Sequence, residues 1–168
     1  MSPSQIEEAL QLAGFLSAHG IWCVSDGSPL IPMFGEQFDD GSRQMSRLAA
    51  DKLEDGVAQG RQLLESNAGR AARAVLLYDG YVTLPSGKTD ALFAVIRSYQ
   101  AQHFTVSMAI PYRNAANAKG FAVHRPKFLD CDGIETPNYG AMGDSFFRGV
   151  DTHEKGLAVW NAASDPSV

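Results

Sequence analysis

The sequence has 168 residues, 45% of them hydrophobic and 20% charged, with a formal net charge of −5. This composition excludes collagen-like, coiled-coil and disordered chains, and a chain of this length buries enough surface to do without a metal or disulfide staple. No apolar run approaches a membrane span, no basic region followed by an apolar stretch opens the chain, and Cys23 and Cys131 have neither metal-ligand nor framework spacing.

The expectation is one cytoplasmic domain over residues 1–168, with reduced thiols, no metal and no cofactor. Ser4 and Glu7 fit a capping box at the head of a first helix, in which Ile6, Leu10 and Ala13 recur at helical spacing and Leu12 and Leu16 widen the apolar face. His19 and Gly20 read as its last turn and left-handed cap. Ile21 to Val24 then reads as a short buried strand, residues 25–29 as a turn, and Leu30 to Phe34 as a strand that Pro32 assigns to an edge. Ser42 predicts the N-cap of a long helix reaching about Asn67, with Met45, Ala49, Leu53, Val57, Gly60 and Leu64 on one stripe.

From Ala71 the period changes to two. Ala74 to about Leu84 reads as a central strand, residues 85–87 as a turn, and Thr89 to Tyr99 as a returning strand. Phe104, Val106, Met108, Ile110 and Tyr112 alternate with smaller or polar residues, which is the clearest strand signal in the chain. A loop over 114–120 precedes a further strand, Phe121 to Leu129, interrupted by Pro126 and so placed at an edge. Asp151 and Glu154 repeat the capping pattern ahead of Leu157, Trp160 and Ala163. The predicted class is α+β: an antiparallel sheet of four or more strands, two N-terminal helices packed on one face, and a short C-terminal helix.

Four short motifs carry possible chemistry. Phe128-Leu129-Asp130-Cys131-Asp132-Gly133 resembles the first motif of the haloacid-dehalogenase phosphatases, where the first Asp is the nucleophile and the second a general acid beside magnesium. That resemblance implies a doubly wound parallel sheet with a downstream Lys and further acids, whereas the strands read here form an antiparallel meander, so the acids read as a turn. A calcium loop on the same acids fails because Ile134 directly follows Gly133. Lys119-Gly120-Phe121-Ala122 resembles the start of the octapeptide of RNA-recognition domains, but Val123 and His124 depart from it and the βαββαβ order is absent. Gly143-Asp144-Ser145 with Asp151 and His153 resembles the catalytic blocks of the Gly-Asp-Ser-Leu esterases. Here they fall within one short stretch, where helix capping explains Asp151 and His153 more simply.

Charge is unevenly spread. Residues 1–70 hold ten acids and five bases, and no acid lies between Ala91 and Leu129. Three functional readings follow. The first is a non-catalytic interaction domain that binds a protein partner or itself, its helical stripe from Met45 to Leu64 forming a twofold dimer. The second is a small enzyme gathering Asp79, Tyr81, His124, Asp151 and His153. The third is an anion site built from Arg97, Arg113, Lys119, Arg125 and Lys127, with Tyr81 among its candidate ligand contacts; the chain's overall negative charge disfavours nucleic acid. The alternation at 103–112 also makes a prediction. Met108→Asp should abolish the cooperative thermal transition and Ser107→Asp should preserve it; equal losses would mean that helices cover both faces of that strand.

Overall fold

The computed structural model describes residues 3–101 and 103–168, the side chains of residues 3 and 4 excepted, so the Ser4 half of the predicted capping box lies outside the described residues. The first helix, α1, runs Pro3–Val24 without a break. Ile21 to Val24 is therefore not a strand, and Gly20 is not a cap. The reason is that Ile21 and Val24 continue at helical spacing a broad buried face: Leu10, Leu12, Ala13, Leu16, Ala18, Ile21 and Val24 have no exposure, while Glu8 and Trp22 mark the side that reaches solvent. Gly20 lets the helix approach the sheet closely, since a Cβ there would lie 2.6 Å from Leu77 Cδ2.

The long helix expected from Ser42 is replaced by a hairpin and a shorter helix. Strands β1 (Met33–Gln37) and β2 (Arg43–Arg47) pair antiparallel, and α2 begins only at Leu53 and ends at Ser66. Gly41 turns the hairpin at φ 86°, and Asp40 Oδ1 accepts from both the N–H and the hydroxyl of Ser42. Met45 then faces Gly35 across the ladder instead of starting a helical stripe. Pro32 precedes β1 and removes no ladder donor from it, so β1 lies between β2 and β3 and is not an edge.

Strands β3 (Arg73–Leu84), β4 (Gly87–Ser98) and β5 (Phe104–Arg113) form the meander that the period-two pattern predicts, with Gly87 at φ 120° closing the first turn. The expected strand from Phe121 to Leu129 divides into β6 (Ala122–Val123) and β7 (Lys127–Asp132), both antiparallel to β5. The break falls at residues 124–126, and a register shift between Ser107 and Met108 leaves Leu129 as a bulge on β7. Two helices follow: α3 (Tyr139–Asp151), for which the sequence reading has no counterpart, and α4 (Glu154–Ala163). Asn138 caps α3, and His153, not Asp151, caps α4 through a 2.9 Å bond from Gly156 N–H to Nδ1. The class is α+β with an antiparallel seven-stranded sheet, ordered β2-β1-β3-β4-β5-β6 with β7 also on β5.

The two N-terminal helices lie on opposite faces of that sheet, which corrects the one-face expectation. Val75 and Leu77 of β3 join the α1 core, while Ala74 and Leu76 join a second cluster with Leu64 of α2. Because β3 is apolar at every position from Ala74 to Leu77, each parity needs its own cover. Helices α3 and α4 pack against α1, enclosing it between themselves and the sheet. Met108 is buried against α1 and Ser107 is half-exposed on the other face, as the alternation predicts. Among the described residues no helix is long and apolar enough to cross a membrane.

The crossing of α1 and α3 depends on reciprocal glycines. A Cβ on Gly14 would collide with the Phe146 carbonyl, and one on Gly149 with the Gln11 carbonyl. Gly149→Ala is therefore expected to destabilise the protein by about 1–3 kcal/mol through overpacking. Gly143→Ala, on the same helix but with nothing within 4 Å of its added Cβ, should be neutral or stabilising. Equal effects in denaturant titrations would remove the close-approach argument.

Candidate functional site

The sequence candidates do not converge on one catalytic centre. Five of them gather at the turn end of the sheet. Register places Tyr81, Asp90 and Tyr112 side by side on β3, β4 and β5, with Asp79 on the same face of β3. Beside them lies a polar cleft of about 480 Å³, lined by Lys88, Asp90, Tyr112, Arg113, Lys119 and His124 among others.

Most of these groups are already committed. The Tyr112 hydroxyl donates to Asp79, 2.9 Å from each carboxylate oxygen. Burial raises the pKa of Asp79, with the charge of Asp90 adding to it, while Tyr112 and the N–H groups of Leu30 and Gly80 pull it back. Burial and the neighbouring Asp79 also hold the Tyr112 phenol well above its ordinary range. Arg113 stitches the 114–120 loop: Nε donates to the Gly120 carbonyl at 2.8 Å, Nη2 to that of Lys119 at 3.3 Å, and Nη1 lies 3.7 Å from Asp165. The His124 ring, 5% exposed, donates from Nδ1 to the Asp165 carbonyl at 3.0 Å. Tyr81 is 64% exposed, and Lys88 Nζ sits 4.3 Å above its ring. These contacts hold the end of the sheet together.

The remaining candidates lie elsewhere. Arg97 pairs with Glu65 of α2 at 2.7 Å, Lys127 stands opposite Ala109 on β7, and Arg125 lines a separate pocket, so the basic stretch is not one surface. Asp151 ends α3, and neither it nor His153 lines the cleft that holds His124 and Tyr112. Ser145 is buried and accepts from Arg148 at 2.8 Å within a helix, unlike an exposed nucleophile. Among the described residues no three His, Cys, Asp or Glu side chains converge on a position that could hold a metal ion.

A second feature escapes motif reading. On the sheet face turned away from α1, Tyr78 and Phe93 stack at 5.4 Å, and Val95, Ala91 and Ala109 continue the apolar strip. Helix α2 packs mainly on β3 and reaches β4 at Val95 and Arg97, and among the described residues no helix packs substantially on β5 or β7 from this side. Charge borders the strip on both flanks. Arg61 donates to Tyr78 at 2.9 Å, Glu65 holds Arg97, and Lys127 and Asp130 stand opposite Ala109 and Ser107. The sequence signal for this face is the unbroken apolar run Leu92 to Ile96, in which both parities ask for cover. Comparison with protein-family models, curated proteins and solved structures finds no match to the chain.

His153 joins a different cluster. Since its Nδ1 accepts from Gly156, the neutral ring carries its proton on Nε2 and donates it to Nδ1 of His19 at 3.0 Å. Burial lowers the pKa of both rings; His153 and Arg47 lower His19 further, and Lys155 lowers His153. A histidine whose folded pKa is depressed stabilises the fold above its unfolded value of 6.5 and loses that contribution as pH falls toward the folded value. The melting temperature is therefore expected to decline on acidification below pH 6.5 and to decline less in His19→Gln/His153→Asn, where Asn preserves the cap. Superimposable pH profiles for the two proteins would refute the assignment.

Proposed function

We propose that the domain is a non-catalytic binding module that pairs with a second copy of itself through the partly covered sheet face beside α2. The observation that carries this reading is the Tyr78–Phe93–Val95 strip, where an antiparallel sheet ordinarily presents polar residues to water. The occupant follows from charge. Arg61, Arg97 and Lys127 border the strip together with Glu65 and Asp130, so both signs stand at its margins and a twofold axis can match them. The stripe on α2 does not serve this role, because Gly56, Gly60 and Leu64 are buried within the protomer. The free edge of β7 is a poor alternative, since the Leu129 bulge interrupts the strand. A reducing compartment suits the chain: Cys23 and Cys131 are both free, and burial pushes their thiols up, away from reactive thiolate.

Sedimentation equilibrium at tens of micromolar is expected to give a mass near twice 18.1 kDa. Phe93→Glu should return the protomer mass while keeping the circular dichroism of the folded protein. A wild-type protomer at that concentration, or a dimer indifferent to Phe93→Glu, would overturn the proposal.

A further inference from the structure

On the opposite side of the sheet, a pocket of about 320 Å³ opens between β7, α3 and α4. That volume lies at the low end for small-ligand sites, which run from roughly 300 Å³ upward. Its walls are aromatic. Phe146, Phe147 and Trp160 meet edge to face at 5.4–6.0 Å, and Phe128 closes another side. Phe147 remains 38% exposed although its two ring partners are buried. On α3, Gly143 contributes no side chain, and an added Cβ there would meet nothing within 4 Å.

The polar side of the pocket is cationic. Arg125 and His124 are its only titratable lining residues, and no carboxylate lines it. Arg125 differs from the core-facing arginines of this protein. Arg73, Arg97 and Arg113 are held by Glu8, Glu65 and Asp165, whereas Arg125 is exposed to solvent and its guanidinium has no hydrogen bond or ion pair among the described residues. Its backbone is nonetheless anchored. His124 N–H donates to the Pro111 carbonyl at 2.8 Å, its ring donates to Asp165, and Pro126 follows directly. A fixed segment thus presents an uncommitted, planar, carboxylate-matching cation at the rim of a small aromatic pocket.

We propose that this pocket binds a small amphipathic carboxylate, with its ring or short alkyl chain among Phe128, Phe147 and Trp160 and its carboxylate on Arg125. Two features choose the class. Apolar walls of this size favour a compact hydrocarbon body, and a lone cation with no acid opposite it favours a single negative head. The pocket lies away from the sheet face proposed for self-association, so the two readings stand or fall separately.

The test uses the full chain carrying Trp22→Phe, which leaves Trp160 as the sole tryptophan reporter. Titration with octanoate and with 3-phenylpropionate is expected to give a saturable change in Trp160 emission. The corresponding neutral amides should bind roughly tenfold more weakly, the loss expected for one charge-assisted contact. Arg125→Gln should erase the preference for acid over amide. Gly143→Leu, whose Cβ would meet nothing within 4 Å, should abolish binding while the thermal transition persists. Absence of a saturable signal, equal affinity for acid and amide, or binding that survives Gly143→Leu would each overturn the proposal.

Discussion

The structure depends on the burial of most of α1, from which only a narrow stripe through Glu8 and Trp22 reaches solvent. A helix buried over most of its circumference needs cover on more than one side, and here the sheet covers one side while α3 and α4 cover another. Enclosure at that density requires close backbone approach, which explains why glycines mark the contacts: Gly20 toward Leu77, Gly14 and Gly149 at the α3 crossing, and Gly156 against the Ala18 carbonyl at the start of α4. The His19–His153 bond lies in the same α1–α4 interface. Solvent exclusion around α1 thereby links helix packing, the α4 cap and the depressed histidine pKa values.

The sheet is covered unequally, and this gives the molecule its distinct surfaces. On the α1 side, Leu92, Ile96, Val106 and Ile110 are fully buried. On the other side α2 packs chiefly on β3 and touches β4 through Val95 and Arg97, so Phe93 and Val95 are only partly buried there. At the ends of the strands, where neither helix extends, polar side chains satisfy the backbone and one another, as Arg113 does for the 114–120 loop.

Buried charge in this chain is compensated charge. Arg73, 3% exposed, bonds to Glu8, Gln37 and Gln100, and Asp79 accepts from the Tyr112 phenol and from the N–H groups of Leu30 and Gly80. Leaving such groups unpaired would cost several kcal/mol, about the scale of a protein's whole margin of stability. Arg125 lies outside that pattern, since it is exposed to solvent at the rim of the aromatic pocket.

Local sequence determined the elements whose signal lies within one segment. The alternation from Phe104 to Tyr112 placed β5 and its buried face, the Pro85-Ser86-Gly87 turn placed the β3–β4 hairpin, and the apolar positions of residues 6–16 placed the body of α1. Tertiary structure decided the rest, because the deciding partner was distant in sequence. Ile21 to Val24 is helical because Ile21 and Val24 continue the broad buried face of α1, which a four-residue window cannot reveal. Met45 and Leu53 share helical spacing by coincidence, and pairing of β2 with β1 overrides it. The candidate residues scattered for the same reason: spacing along the chain places Arg113 near Lys119, but only packing turns Arg125 toward Trp160 and leaves Arg113 facing Asp165.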